Sequence, residues 1–264
     1  LSLHDALPIY HKDNGIVELK IKKNVTKIYL RDNEIGDIEK RIRLNTEAIY
    51  IDDPFVIDDL AVNFWRRDET KHRDHLKRRL VKKGSVNNIE DIITEEKLQE
   101  VYLQLSAVIA GDIVSAKNNS RLFYKEKGDD IPLDVRNLST GLKTFAIIKQ
   151  LLQNGTIQDN GLIILDEPEI HLHPEWQLIF AELIVLIQKA FNMNILLNTH
   201  SPYFLRAIQV FADKYGINEI CKYYMAELTG QVSVIEDVSE NIDKVYEKLY
   251  RPLQELENLR WENV

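Results

Sequence analysis

The sequence predicts an α/β protein built around a parallel sheet, and three stretches carry that prediction. Gly161–Leu165 (GLIIL) is an unbroken apolar run ending in Asp166-Glu167-Pro168, the pattern of a buried parallel strand with acids at its carboxyl end. A second apolar run, Ile195–Leu197, ends in Asn198-Thr199-His200-Ser201. Between them Pro174 occupies a first helical position, and Trp176, Ile179, Phe180, Leu183, Ile187 and Ala190 fall at helical spacing. Strand, helix, strand is a βαβ unit, so the two polar strand ends should lie side by side. Open α/β sheets bind ligands at that edge.

Composition narrows the class. The 264 residues hold 34 Lys and Arg against 42 Asp and Glu, a net charge of −8, with 44% hydrophobic and 29% charged residues. That balance suits a soluble globular protein of one large or two small domains. The longest apolar stretch, Leu178–Ile187, is interrupted by Glu182 and is too short to span a bilayer. A single cysteine, Cys221, excludes an internal disulfide framework and a cysteine-based zinc site, and makes a reducing, cytoplasmic setting the default.

Taken in chain order, Leu1–Ile9 (LSLHDALPI) starts without Met and lacks the basic and apolar regions of a signal peptide; residues 1–9 read as a non-native leader. Ile16–Ile21 and Val25–Leu30 are β-branched runs flanking a Lys-Lys-Asn turn, the pattern of a hairpin. Ala48–Ile51 (AIYI) should be a short strand stopped by Asp52-Asp53-Pro54. Residues 10–64 form the amino-terminal lobe in this reading, and 65–110 a charged helical insertion. Arg66–Lys83 holds nine Lys and Arg against three Asp and Glu, a local balance of +6. Gly84–Asn88 reads as a hinge, and Ile89–Ile109 as a helix with Ile92, Ile93, Leu98, Val101, Tyr102 and Leu105 on one stripe.

Residues 111–264 form the carboxy-terminal lobe. Leu138-Ser139-Thr140-Gly141-Leu142-Lys143-Thr144 opens an apolar-periodic helix through Leu152, and Ser201-Pro202 caps a helix over Tyr203–Tyr215. Cys221–Leu228 and Gln231–Ile235, around Thr229-Gly230, read as a closing hairpin. Cys221 is expected to be a buried small hydrophobe. Asn241–Tyr250 reads as a helix broken near Pro252, with a charged tail after it.

The chemistry-bearing residues fall at helix and strand ends. Ser139 and Gly141, at a helix entrance, offer a hydroxyl and open backbone N–H groups at the positive end of a helix dipole, which suits phosphate. Asp166 at a strand tip suits magnesium, a hard cation that keeps several waters. Glu167 could take a proton from an attacking water, and His200 on the neighbouring strand could donate to a phosphate oxygen. Together these are parts of a phosphoryl-transfer site. Each part also has a plain structural reading, as a helix cap, a solvated loop or a packed histidine. Their order along one α/β unit favours the functional one.

These motifs carry a family resemblance. LSTGLKT resembles the ABC-type signature, LIILDEP the Walker B strand with its catalytic glutamate, and NTHSP the switch-histidine loop. DEPEIHLHPEWQ is similar to the form found in soluble AAA/ABC-like ATPases related to the chromosome-maintenance and overcoming-lysogenisation-defect proteins. The resemblance is strong over Arg136–Ala207. It implies a P-loop NTPase of the ABC-type head class with a helical insertion, closing as a head-to-tail homodimer around two ATP molecules. It further implies that Ser139 and Gly141 contact the γ-phosphate held by the opposite subunit, with Lys143 of the same motif counted among the nucleotide contacts. Asp166 would order Mg²⁺, Glu167 polarise the hydrolytic water, and His200 sense the γ-phosphate. His173 falls where the family often carries Asp, so a structural or cross-dimer contact is expected there.

One motif does not fit. No G-x-x-x-x-G-K-[ST] occurs, so nothing in the sequence wraps the β-phosphate. The expectation is an ATPase head lacking its amino-terminal Walker A segment, which alone binds ATP weakly. A competing reading is a non-catalytic dimerisation module. The basic arm is open between a solvated face paired with acids elsewhere and a contact for DNA or a partner nuclease through Arg66, Arg67, Lys77 and Arg78.

Overall fold

A computed structural model of the chain describes residues 15–21, 24–31, 34–40, 48–61, 72–82, 96–115, 122–126, 128, 131–230 and 232–262. The leader, the hinge, Ile92, Ile93, Arg66 and Arg67 lie outside these residues. The chain divides into two compact units, 1–47 and 48–264.

The first unit is an antiparallel sheet of β1 (Gly15–Ile21), β2 (Asn24–Arg31) and β3 (Glu34–Glu39), in that order. The hairpin closes with Ile21 opposite Asn24. The third strand was not visible in the sequence, because EIGDIE mixes acids with its apolar residues.

The second unit is organised by a parallel sheet in the order β4 (Ala48–Ile51), β8 (Leu162–Asp166), β9 (Asn194–Asn198). Leu165 of the central strand pairs with Ile51 on one side and Leu197 on the other. Burial alternates along β8, with Ile163 and Leu165 fully inside and Leu162 and Ile164 partly covered, so GLIIL is not uniformly enclosed.

Three helices pack around the sheet and contribute heavily to the core: α3 (Thr140–Gln153), α4 (Pro174–Phe191) and α5 (Pro202–Lys214). Each begins with a side-chain cap that satisfies an otherwise orphaned N–H. Ser139 caps α3, His173 caps α4 and Ser201 caps α5, and Pro174 and Pro202 follow their caps. α4 stops at Asn192, whose φ of 49° is the left-handed conformation usual after a helix. One phenylalanine from each helix meets at the centre. Phe145 packs edge-on against Phe180, with centroids 5.3 Å apart, and Phe180 stacks on Phe204.

The expected helical insertion is part of this core. α1 (His72–Leu80) buries Leu76 and Leu80, and α2 (Glu96–Val108) buries Leu98, Val101, Tyr102 and Leu105 in the same cluster. Both pack against α3. Directly after the strand-stopping Asp52-Asp53, residues 54–61 form a 3₁₀ helix with Val56, Ile57 and Leu60 buried. A small antiparallel sheet joins β5 (Asp112–Ser115), β6 (Leu122–Lys125) and β7 (Leu133–Asp134). β10 (Tyr224–Thr229) and β11 (Val232–Asp237) form the closing hairpin around Gly230, at φ 65°. Cys221 precedes that hairpin, half-buried, and burial pushes its thiol up.

The final helix, α6 (Asp243–Glu262), runs through Pro252 instead of breaking there. Proline removes one backbone donor, while the bonds on either side can continue the helix. Among the described residues no helix is long and apolar enough to cross a membrane.

Candidate functional site

The register of the parallel sheet sets Asp166, at the tip of β8, opposite Asn198 of β9. Both oxygens of Asp166 receive donors: Asn198 Nδ2 at 3.0 Å to Oδ1, and the Tyr50 hydroxyl of β4 at 3.2 Å to Oδ2. The carboxylate is thus oriented from both neighbouring strands. Burial, then the Asp166 charge, pushes the Tyr50 phenol up to about 12, which keeps it a donor across the physiological range.

One residue on, the Glu167 backbone N–H donates to the Asn198 carbonyl at 3.0 Å, extending the sheet contact beyond the strand. Glu167 adopts φ 48°, a conformation that residues with a side chain rarely take. Its Oε1 lies 2.8 Å from His200 Nε2. The Glu167 side chain is mostly covered, at 19% exposure, while His200 is 44% exposed. The strand ends DEP and NTHS are therefore in direct contact, with the His200 imidazole and the Glu167 carboxylate within ion-pair distance.

Asp52, Asp53, Asp166 and Glu167 rim one cleft above apolar walls that include Leu165 and Phe180. Among the described residues no three His, Cys, Asp or Glu side chains are grouped to enclose a metal ion. Asp166 offers the single hard oxygen ligand that a largely hydrated Mg²⁺ needs, so the donor set fits that ion.

The signature segment divides. Ser139 is exposed, and its Oγ accepts a long 3.4 Å bond from the Leu142 N–H, leaving the hydroxyl open to a further contact. Gly141 is buried against α4: a Cβ there would sit 3.1 Å from Trp176 ring carbons and 3.3 Å from Leu172 Cδ2. Close packing accounts for this glycine without a ligand.

Lys143 departs from its expected place among the nucleotide contacts. Its side chain is 3% exposed, and Nζ donates to Asp58 Oδ2 at 2.8 Å and to the Arg136 carbonyl at 3.2 Å. The helix turns it inward, to an ion pair with the 3₁₀ segment, while Thr144 and Ile148 of the same helix line the cleft. His173 acts as a cap: its Nδ1 accepts from the Glu175 N–H at 3.4 Å.

Acids of the 52–59 segment hold much of the basic arm. His72 lies 2.7 Å from Asp52, Arg73 reaches Asp53 at 2.8 Å and Asp59 at 3.0 Å, and Lys77 is 3.3 Å from both Asp59 and Asp74. Arg78 is exposed.

Three participants escaped the sequence reading: Tyr50, Asn198 as a ligand of Asp166, and Glu169. Glu169 is buried and accepts from the Thr199 hydroxyl. A signal was present for Tyr50, which stands two residues before Asp52 in a strand parallel to DEP.

Residues 18–206 match the family described as "AAA domain, putative AbiEii toxin, Type IV TA system". The chain is 30% identical over 162 residues to the Septu protein PtuA of Bacillus thuringiensis, a match covering 51% of this chain and 40% of that protein. It is 28% identical over 145 residues to the Retron Vc95 probable ATPase of Vibrio cholerae serotype O1 biovar El Tor, covering 49% of this chain and 27% of that protein. The chain thus spans less than half the length of these relatives. Among solved structures, the SMC head domain from Thermotoga maritima is 15% identical with a TM-score of 0.44, covering 85% of this chain and 74% of that one.

Proposed function

Because the chain belongs to this AAA-domain family, whose α/β architecture is that of the P-loop NTPases, we propose that it is an ATPase head that binds and hydrolyses ATP with Mg²⁺ as a head-to-tail homodimer. The observation that supports this best is the 2.8 Å contact between Glu167 and His200 at adjoining strand ends, beside Asp166. In this reading Asp166 would hold a hydrated Mg²⁺, which when bound neutralises charge on the phosphate oxygens. Glu167 orients a water and accepts its proton, drawing on a carboxylate whose position is fixed by the sheet. His200, 2.8 Å from Glu167, donates to the terminal phosphate, so nucleotide binding and water activation meet at one close contact.

Ser139 and the open N–H groups at the start of α3 would meet the γ-phosphate held by the second subunit. Lys143 has no part in this, since its ammonium is spent on Asp58. Relatives named for Septu and retrons support coupling of closure to a nucleic-acid or defence-related partner.

The test compares the wild-type protein with Glu167→Gln, each in a form that carries a Walker A segment. The substitution keeps shape and hydrogen bonding but removes the base, so turnover should fall about 10²-fold or more with ATP binding retained. Light scattering should show the variant accumulating as a dimer when saturated with ATP. A variant that turns over normally, or stays monomeric at saturation, would refute the assigned roles.

A further inference from the structure

Two residues after Glu167, the chain turns a carboxylate into the interior. Glu169 is 3% exposed, the most enclosed acid among the described residues of this unit. Its surroundings are specific. Oε1 accepts from the Thr199 hydroxyl, and the Thr199 oxygen in turn accepts from the Ser201 N–H at 3.0 Å. The Ser201 backbone also faces the Glu169 carboxylate. Oε2 is buried with no hydrogen-bond partner.

The residues gripped are the two that flank His200. On the far side, the Ser201 hydroxyl donates to Gln177 Oε1 of α4 at 3.1 Å and caps α5 through the Phe204 N–H. The loop carrying His200 is therefore held at both shoulders while the imidazole between them stays partly exposed. Glu169 and Glu167 belong to one tight turn, in which the Ile170 N–H bonds the Glu167 carbonyl and the Leu172 N–H bonds the Glu169 carbonyl. A carboxylate that enters the interior with half its acceptor capacity unmet is costly for a mere filler of space, and an apolar residue would serve that purpose better. What the carboxylate does at this place is tie the turn bearing Glu167 to the loop bearing His200.

We propose that Glu169 is a positioning residue, which sets the reach of His200 to Glu167 by clamping Thr199 and Ser201 against the turn after β8. This rests on the reading of Glu167 and His200 as the working pair, but the clamp itself does not require hydrolysis to be seen. The chain needs no other group for the contact: a single acceptor oxygen at position 169 and a hydroxyl at 199 are sufficient.

The experiment is amide hydrogen exchange by mass spectrometry on the intact chain, following peptides across 198–202 and, as internal reference, peptides from α3. Glu169→Ala removes the acceptor and Thr199→Val removes the donor from the opposite side; Glu169→Gln and Thr199→Ser keep one of each. Exchange in 198–202 should accelerate at least tenfold in Glu169→Ala and Thr199→Val, stay within twofold of wild type in Glu169→Gln and Thr199→Ser, and leave α3 unchanged. If Glu169→Ala does not fold, the Thr199→Val and Thr199→Ser pair decides. Unchanged exchange in 198–202 for Thr199→Val would overturn the clamp. Acceleration spread equally over α3 would also overturn it, by making the pair ordinary core residues. Where ATP turnover is measurable, the disrupting variants should lower kcat with little change in KM. Absent turnover in a wild-type form that carries a Walker A segment, with the local exchange pattern intact, would count against the ATPase reading and leave the clamp standing.

Discussion

Replacing Lys143 with Met separates two roles that its position in the signature confuses. The ammonium is enclosed and lies 2.8 Å from Asp58, whose other oxygen, Oδ1, is buried without a partner. Lys143→Met keeps the length and the apolar stem but leaves Asp58 with both oxygens uncompensated. Breaking a fully buried ion pair from one side costs about 3–5 kcal/mol. The Asp58 side chain is 24% exposed, so water recovers part of this, and about 2–4 kcal/mol is expected here. For a unit of this size that lowers Tm by roughly 5–15 °C. Adding Asp58→Leu removes the stranded acid, and the double variant should regain at least half of the loss, with a coupling energy above about 1 kcal/mol. Thermal and urea denaturation of the two single variants and the double variant give the cycle, and calorimetric titration with Mg-ATP, on forms that carry a Walker A segment, gives the binding. A Lys143→Met protein that melts like wild type but loses ATP affinity would refute the reasoning and return Lys143 to the nucleotide.

Three further outcomes follow from the geometry. Gly141→Ala forces a methyl against Trp176 and Leu172, so stability should fall by about 1–2 kcal/mol after a small gain in helix propensity; a more stable variant in urea denaturation would show that the α3–α4 contact yields freely. Burial holds the Glu169 carboxyl above the usual range, so the folded chain keeps a proton there that the unfolded chain releases above a pH of about 4.3. Stability then declines as pH climbs from there, and Glu169→Gln, which does not titrate, should improve relative to wild type as pH rises above about 4.3; a pH-independent difference in denaturation midpoints would contradict this. On the basic arm, Lys77→Glu should cost about 1 kcal/mol by losing Asp59 and Asp74, and Arg78→Glu less than about 0.5 kcal/mol. If DNA is bound, Arg78→Glu and not Lys77→Glu should flatten the salt dependence of affinity, and the reverse result would show that Lys77 leaves its acids for phosphate.

The βαβ unit was legible because its strands and helix are long apolar runs with caps at their ends, and local pattern alone fixes such elements. The contact between Glu167 and His200 was legible for the same reason, since parallel register brings the strand ends together. Lys143 was not, because a lysine ordinarily signals solvent or a ligand. α3 is buried on nearly every side, with Lys143 and Lys149 both turned to interior acceptors. Besides the nearby Arg136 carbonyl, their acceptors include Asp58 and the carbonyls of Ile109 and Gly111, which lie 38 to 85 residues away, beyond the reach of any periodicity. Tyr50 and Glu169 were missed for a similar reason: each acts through a partner on another strand or loop. The 3₁₀ segment 54–61 carried no readable pattern in the sequence, since Asp58 and Asp59 interrupt its apolar residues, although Lys143, Arg73 and Lys77 offset those charges in the fold.

The left-handed backbone at Glu167 sets stability against activity at a single position. A side chain held at positive φ costs about 1 kcal/mol or more that glycine would not incur, and asparagine would incur less of it. A population of variants selected only for resistance to heat would therefore drift at residue 167 toward Gly or Asn, shedding the carboxylate that faces His200. Glutamate can persist there only under a second selection, for what the side chain does. Ranking every substitution at 167 by melting temperature and by turnover should thus give two opposed orders, in contrast to Phe145 or Phe180, where the fold and any activity resting on it favour the same residue.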